Sequence, residues 1–169
     1  MGDASVIAGL TIERAGPEDV PLILSFVREL AEYERSLDRV VATEENLRDA
    51  MFGERRVAEA VVARVGGEPA GVALFFHNFS TWTGLHGLYL EDLYVRPHLR
   101  GRGVGRALLA HLARLAKERG CARFEWAVLE WNEPAIRFYE RLGARPQGGW
   151  KIYRMTGEAL ERLAGEGGA

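Results

Sequence analysis

The apolar positions of this chain change period repeatedly, and the changes mark out its elements. Leu10–Arg14 alternates apolar and polar residues, which predicts a first strand. Pro17 stands just inside a helix start, with Glu18 and Asp19 favouring the N-terminal dipole. Val20, Ile23, Leu24, Val27, Leu30 and Ala31 then follow a 3.6-residue period, so a helix runs to about Tyr33. Thr43 caps a second, shorter helix that buries Leu47, Ala50 and Met51 and stops near Gly53. Ala58–Val65 and Ala70–Phe79 read as strands around a hairpin turn at Gly66-Gly67-Glu68-Pro69. A loop with Trp82, Gly84 and Gly87 leads to a strand over Leu88–Val95. The next helix, Gly103–Arg119, ends at Gly120, and Ala122–Leu129 is another strand. Asn132 caps a short helix that takes Pro134 in its first turn and stops at Gly143. Trp150–Met155 is expected as a final strand, and Thr156 as the cap of a terminal helix through Leu163.

This order predicts an α/β (α+β) fold, a mixed and mostly antiparallel sheet with helices on both faces. It lacks the strict alternation of a doubly wound nucleotide fold. The expected organisation is an N-terminal extension (residues 1–9), one domain (10–164) and a flexible glycine-rich tail (165–169). The 169-residue length suits one core. A net charge of -2 gives no support to a general nucleic-acid binder. No apolar run reaches a membrane span, and no basic stretch followed by an apolar core opens the chain, so a cytoplasmic protein is expected. The single cysteine, Cys121, fits a reducing compartment and reads as a small core filler rather than a nucleophile. His77, His86, His98 and His111 have no metal-like spacing, and no metal is expected.

The chemistry concentrates between Leu88 and Arg106, LYLEDLYVRPHLRGRGVGR. An apolar strand runs into a basic, glycine-rich loop that opens a helix. Glycines let backbone N–H groups approach a ligand, and the helix dipole favours an anion. The loop is not a P-loop, which needs Gly-Lys-Ser/Thr. It is not a dinucleotide fingerprint either, because Gly101, Gly103 and Gly105 are spaced G-x-G-x-G. Arg100-Gly101-Arg102-Gly103-Val104-Gly105 instead resembles the R-x-x-G-x-G/A pyrophosphate motif of the GNAT acetyltransferases. Tyr89–Val95, Trp131-Asn132-Glu133-Pro134, Phe138-Tyr139 and Glu32-Tyr33-Glu34 resemble the diamine (spermidine/spermine) branch and its thialysine-acetylating relatives. The similarity covers about residues 10–164.

That resemblance implies the GNAT fold and acetyl-CoA as cosubstrate. It places Arg100, Gly101, Arg102, Gly103, Val104, Gly105 and Arg106 around the CoA pyrophosphate. It implies a central strand that splays at a bulge, freeing N–H groups at Leu93, Tyr94 and Val95 for the acetyl carbonyl and pantetheine. Asn132, Pro134 and Ala135 would lie along the cofactor, with Tyr139 as general acid for the thiolate. Glu91 would contact the amine and serve as base, directly or through water. Tyr33, Glu34, Glu91, Asp92, Glu125, Trp126 and Trp150 are candidate substrate residues. Aromatic faces and carboxylates both favour an alkylammonium. The residues alone leave other readings open. Tyr139 beside Phe138 could be core, Trp126 and Trp82 could be anchors, and Trp150 could pack on the sheet. Glu91 or Asp92 could face an arginine or solvent, since an unbulged strand sends neighbours to opposite faces.

The FSTWTGLHG loop and Gln147-Gly148-Gly149 carry no carboxylate, unlike the polyamine pattern. This weakens spermine as acceptor and leaves small diamines, lysine analogues or another amine. Direct attack in a ternary complex is expected, since a ping-pong route needs a covalent nucleophile and Cys121 is poorly placed for one, and the resemblance implies a homodimer. Peptide acetylation and a non-catalytic acyl-CoA sensor are the alternatives.

Overall fold

A computed structural model of the chain describes residues 7–166. They fall into two compact units that divide between Ala127 and Val128. The first holds β1 (Leu10–Arg14), α1 (Val20–Tyr33), α2 (Glu44–Phe52), β2 (Glu59–Val65), β3 (Glu68–Ser80), β4 (Leu85–Val95), α3 (Val104–Glu118) and β5 (Phe124–Trp126). The second holds α4 (Glu133–Arg141) and α5 (Gly157–Glu166). Most of the expected N-terminal extension and the end of the glycine tail lie outside the described residues.

The five strands form one sheet in the order β1-β2-β3-β4-β5. The first four pair antiparallel and β5 joins β4 in parallel. Side-chain alternation sends Ala60, Val62, Val72, Leu74 and Tyr94 into one layer with Val20, Ile23 and Phe26 of α1 and Met51 of α2. Val61, Ala63, Ala73, Phe75, Leu88 and Leu90 point the other way and are also buried. On that face lies α3, with Leu108 and Leu112 fully covered and Arg119 set 5.8 Å over the Phe75 ring. The mixed sheet with helices on both faces is therefore as expected.

Arg96, just past β4, ties α1 to the sheet. Its guanidinium grips Glu29 with two bonds of 3.0 and 3.2 Å, donates to the Pro69 carbonyl and lies 4.9 Å over the Phe26 ring. Planar, two-pronged pairing of this kind fixes orientation as well as adding energy.

Four boundaries differ from the sequence reading. Gly66 and Gly67 both adopt positive φ, +59° and +84°, which makes a two-residue turn and lets Glu68 and Pro69 join β3. The strand expected from Leu88 begins at Leu85. Gly87 falls inside it, where a Cβ would sit 2.5 Å from Asn78 Oδ1 and 2.8 Å from Arg123 Cγ, so a larger residue would have to displace those side chains. β5 is only three residues long, since it pairs with Leu88–Leu90 alone. The expected strand at Trp150–Met155 does not form: the structure gives these residues no strand conformation, and Trp150, Ile152, Tyr153 and Met155 are exposed.

Candidate active site

The site is organised by an irregularity in β4. Leu74 pairs with Asp92, but the next residue, Phe75, pairs with Leu90, so Glu91 is the extra residue of a β-bulge. The bulge breaks the strict alternation that would send Glu91 and Asp92 to opposite faces. Asp92 pairs with Leu74 and shares its α1-side face, while Glu91 is pushed out to solvent.

The same irregularity ends the contact with β5. Parallel pairing covers Leu88–Leu90 against Phe124–Trp126 and goes no further. From Glu91 onward, the β5-side edge of β4 has no strand partner among the described residues. The N–H of Arg96 bonds to the Ala70 carbonyl at 3.0 Å, so Arg96 faces β3. By alternation Tyr94 faces β3 as well, and Leu93 and Val95 direct their N–H and C=O groups to the open edge. The Val95 carbonyl agrees, since it accepts from Arg100 Nε at 2.8 Å.

Carboxylates gather beside the bulge. Glu34 directly follows α1, where the helix closes with Arg35 in the left-handed region (φ +56°) and the Ser36 N–H reaching back to Ala31 at 2.8 Å. A non-glycine residue held there is uncommon. Burial pushes the Asp92 carboxyl up to about 6, and the negative charges of Glu91 and Glu34 add to the shift. Burial also raises Glu34. Asp92 thus feels the charge of two further acids, with no arginine among the causes of its shift, an arrangement suited to a cation.

The glycine loop precedes α3. Gly101 and Gly103 take φ values of +72° and +89°, and Gly103 is the N-terminal cap. A Cβ on Gly103 would come within 3.2 Å of Ile7 Cδ1. The first intrahelical bond runs from the Ala107 N–H to the Gly103 carbonyl, which leaves the N–H groups of Val104, Gly105 and Arg106 without helical acceptors. Arg102 and Arg106 are exposed beside them. Arg100 behaves differently. Its guanidinium lies 4.9 Å from the Tyr33 ring and 5.5 Å from Tyr94, so it brackets α1 to β4.

In the second unit, Asn132 caps α4 by accepting from the Ala135 N–H at 3.4 Å, with Pro134 in the first turn. Tyr139 lies seven residues after Asn132, two turns along the same helix face, with its ring 5.4 Å from that of Phe138. Trp150 is exposed.

Two sequence candidates have structural partners. Glu125 accepts from Arg123 Nε at 2.8 Å and from Asn78 Nδ2 at 3.0 Å, so its carboxylate is already engaged. Trp126 is half-buried and packs edge-on to Phe124. What the sequence reading could not show is that the fold shelters Asp92 and raises its pKa while Glu91 stands exposed, because only the bulge reveals it.

Comparisons with known proteins place this bulged strand and glycine loop in a family. Residues 25–144 match the acetyltransferase (GNAT) family. The chain belongs to the GNAT acetyltransferase family. It is 41% identical over 171 residues to the thialysine N-epsilon-acetyltransferase of Sus scrofa, covering 95% of this chain and 100% of that one. The corresponding enzyme of Caenorhabditis elegans is 40% identical, with 89% and 94% covered. L-ornithine N5-acetyltransferase of Arabidopsis thaliana is 29% identical, with 90% and 86% covered. Among solved structures, a Vibrio cholerae integron cassette protein superposes with a TM-score of 0.77 at 27% identity, covering 92% of this chain and 98% of that one. This GNAT protein is an N-acetyltransferase, as its sequence motifs indicate.

Proposed function

We propose that this acetyltransferase moves the acetyl group of acetyl-CoA to the side-chain amine of a small diamino acid or short diamine, by direct attack in a ternary complex. The observation that carries the reading is the group of Glu34, Glu91 and Asp92 at the β4 bulge. A free alkylamine has a pKa of about 10.4 and must lose a proton to attack. Glu91 and Glu34 draw in the ammonium, and Asp92, ionised at neutral pH, takes its proton. A carboxyl at about 6 lies roughly 4 units below the amine; an ordinary aspartate would lie more than 6 units below. The transfer is therefore about 3 kcal/mol less uphill. Three acids suit a compact diamine; the absence of further carboxylates in Phe79–Gly87 argues against a long polycation.

The N–H groups of Leu93 and Val95 stabilise the carbonyl oxygen as negative charge develops on it. The N–H groups of Val104, Gly105 and Arg106, with the side chains of Arg102 and Arg106, hold the CoA pyrophosphate. Asn132, Pro134 and Ala135 hold pantetheine, as in the resembled family. The Tyr139 phenol returns a proton to the thiolate sulfur. Tyr33 and Trp150 offer aromatic faces to the alkylammonium. A cytoplasmic homodimer completes the reading. The choice of a diamino-acid or diamine acceptor is supported by the thialysine and ornithine acetyltransferases among the relatives.

Replacing Tyr139 with Phe is expected to lower kcat by about 10² or more while leaving acetyl-CoA affinity within a few-fold. Stopped-flow thiol release together with calorimetric binding separates the two, and unchanged kcat would remove Tyr139 as the acid. Thiol release across free amines and peptides tests the substrate class. Turnover with peptides alone would overturn it.

A further inference from the structure

A second cluster of reactive side chains lies on the other face of the sheet. His77 on β3 and His86 on β4 project to the same side, their rings 5.3 Å apart and nearly perpendicular. Cys121 arrives from the end of α3, after Gly120 turns the chain with φ +69°. The Ala122 N–H then bonds to the His86 carbonyl at 3.0 Å and pins the segment against β4. One ligand atom from each of His77, His86 and Cys121 lies within 4.8 Å of the other two. The sequence spacing gives no hint of this, because the three positions are far apart along the chain.

We propose that His77, His86 and Cys121 bind a divalent transition metal of the zinc type, with water completing a four-coordinate shell. Two imidazoles and a thiolate are the ligand set that zinc and cobalt accept. Zinc bonds of about 2.0–2.3 Å place ligand atoms roughly 3.3–3.6 Å apart, so the cluster closes by about 1 Å. Small side-chain rotations supply that. The second shell is already built. His86 Nε2 lies 2.9 Å from the Arg119 carbonyl, which can only accept. The proton therefore sits on Nε2 and leaves Nδ1 as the bare nitrogen, the usual arrangement of a metal-ligating histidine. His77 also lines an open groove of about 530 Å³ with Arg14, Arg56, Glu59 and Phe76.

One charge opposes the site. Arg119 Nη1 comes within 3.5 Å of His77 Nε2. The guanidinium is committed to Glu59, however, through both of its terminal nitrogens. Glu59 also takes Arg14 at 3.2 Å. The metal is therefore bound less tightly than in a closed four-ligand structural site. It sits on the α3 side of the sheet, away from Asp92 on the α1 side. Its effect is to clamp the end of α3 to the β3–β4 hairpin rather than to take part in acetyl transfer.

The test is titration of the untagged full chain with Co²⁺, in a non-thiol reductant. The site predicts a sulfur-to-cobalt charge-transfer band in the near ultraviolet, with intense visible d–d bands of four-coordinate cobalt, bleached by Zn²⁺. Cys121→Ser should abolish the charge-transfer band. His77→Ala, at an exposed position, should weaken Zn²⁺ binding by about 10-fold or more. Zn²⁺ should raise the Tm of the wild type but not of Cys121→Ser. Absence of the charge-transfer band in the wild type, or its persistence in Cys121→Ser, overturns the proposal.

Discussion

Replacing Asp92 with Asn is expected to lower kcat/KM for the amine by about 10²- to 10⁴-fold, the range for removal of a positioned general base. The pH profile should change with it. In the wild type, kcat/KM rises with pH through about 6 as Asp92 ionises. Asn cannot titrate, so the variant loses that acid limb. A variant that keeps wild-type kcat/KM and the same limb would transfer the role to another group. The same substitution should also affect stability, in the opposite direction. Asp92 rises from 3.8 to about 6 on folding, so the native state binds a proton more tightly than the unfolded chain. Stability is therefore lost as pH rises from about 4 to 6, and above that the charged carboxylate costs on the order of 2–3 kcal/mol. Asp92→Asn should stabilise the protein by that order near pH 7.5 and lose the gain near pH 4, as urea unfolding at the two pH values would record. A site that is less stable than its neutral substitute, yet needed for turnover, is what a functional carboxylate predicts.

Gly103→Val is expected to raise the Kd for acetyl-CoA by at least 10-fold. Gly103 caps α3 at φ +89°, where a β-branched residue is a genuine outlier. Its Cβ would also press on Ile7. The loop can relieve the strain only by turning the cap, which re-aims the N–H groups of Val104, Gly105 and Arg106. Amine turnover at saturating acetyl-CoA should fall much less than affinity. Isothermal calorimetry and a kcat/KM split check this, and unchanged acetyl-CoA affinity would remove the loop from cofactor binding.

Much of the fold was readable because its elements have strong local causes. The apolar stripe of α1, the Thr43 and Asn132 caps and the positive-φ glycines at Gly66, Gly67, Gly120 and Gly143 all act where their own residues stand. The R-x-x-G-x-G pattern was legible for the same reason. What could not be read depends on pairing between distant segments. The bulge at Glu91 exists only in the register of β4 against β3, and that register decides which of two adjacent acids is sheltered. Arg100 looks from sequence like one more phosphate cation, but Tyr33, from the end of α1, and Tyr94 capture it. Glu125 reads as a pocket acid until Asn78, 47 residues earlier, is found beside it. The Trp150–Met155 strand was expected from an apolar pattern alone, and such a pattern does not by itself make a strand.

The most direct measurement is the steady-state kcat/KM of the wild-type protein, at saturating acetyl-CoA, for thialysine, ornithine, a short diamine and spermine, with the products identified by mass spectrometry. The carboxylate group at the β4 bulge predicts one side-chain acetyl per CoA released, with thialysine, ornithine or the short diamine preferred over spermine. CoA release that favours spermine, or no turnover with any of the four, would contradict it.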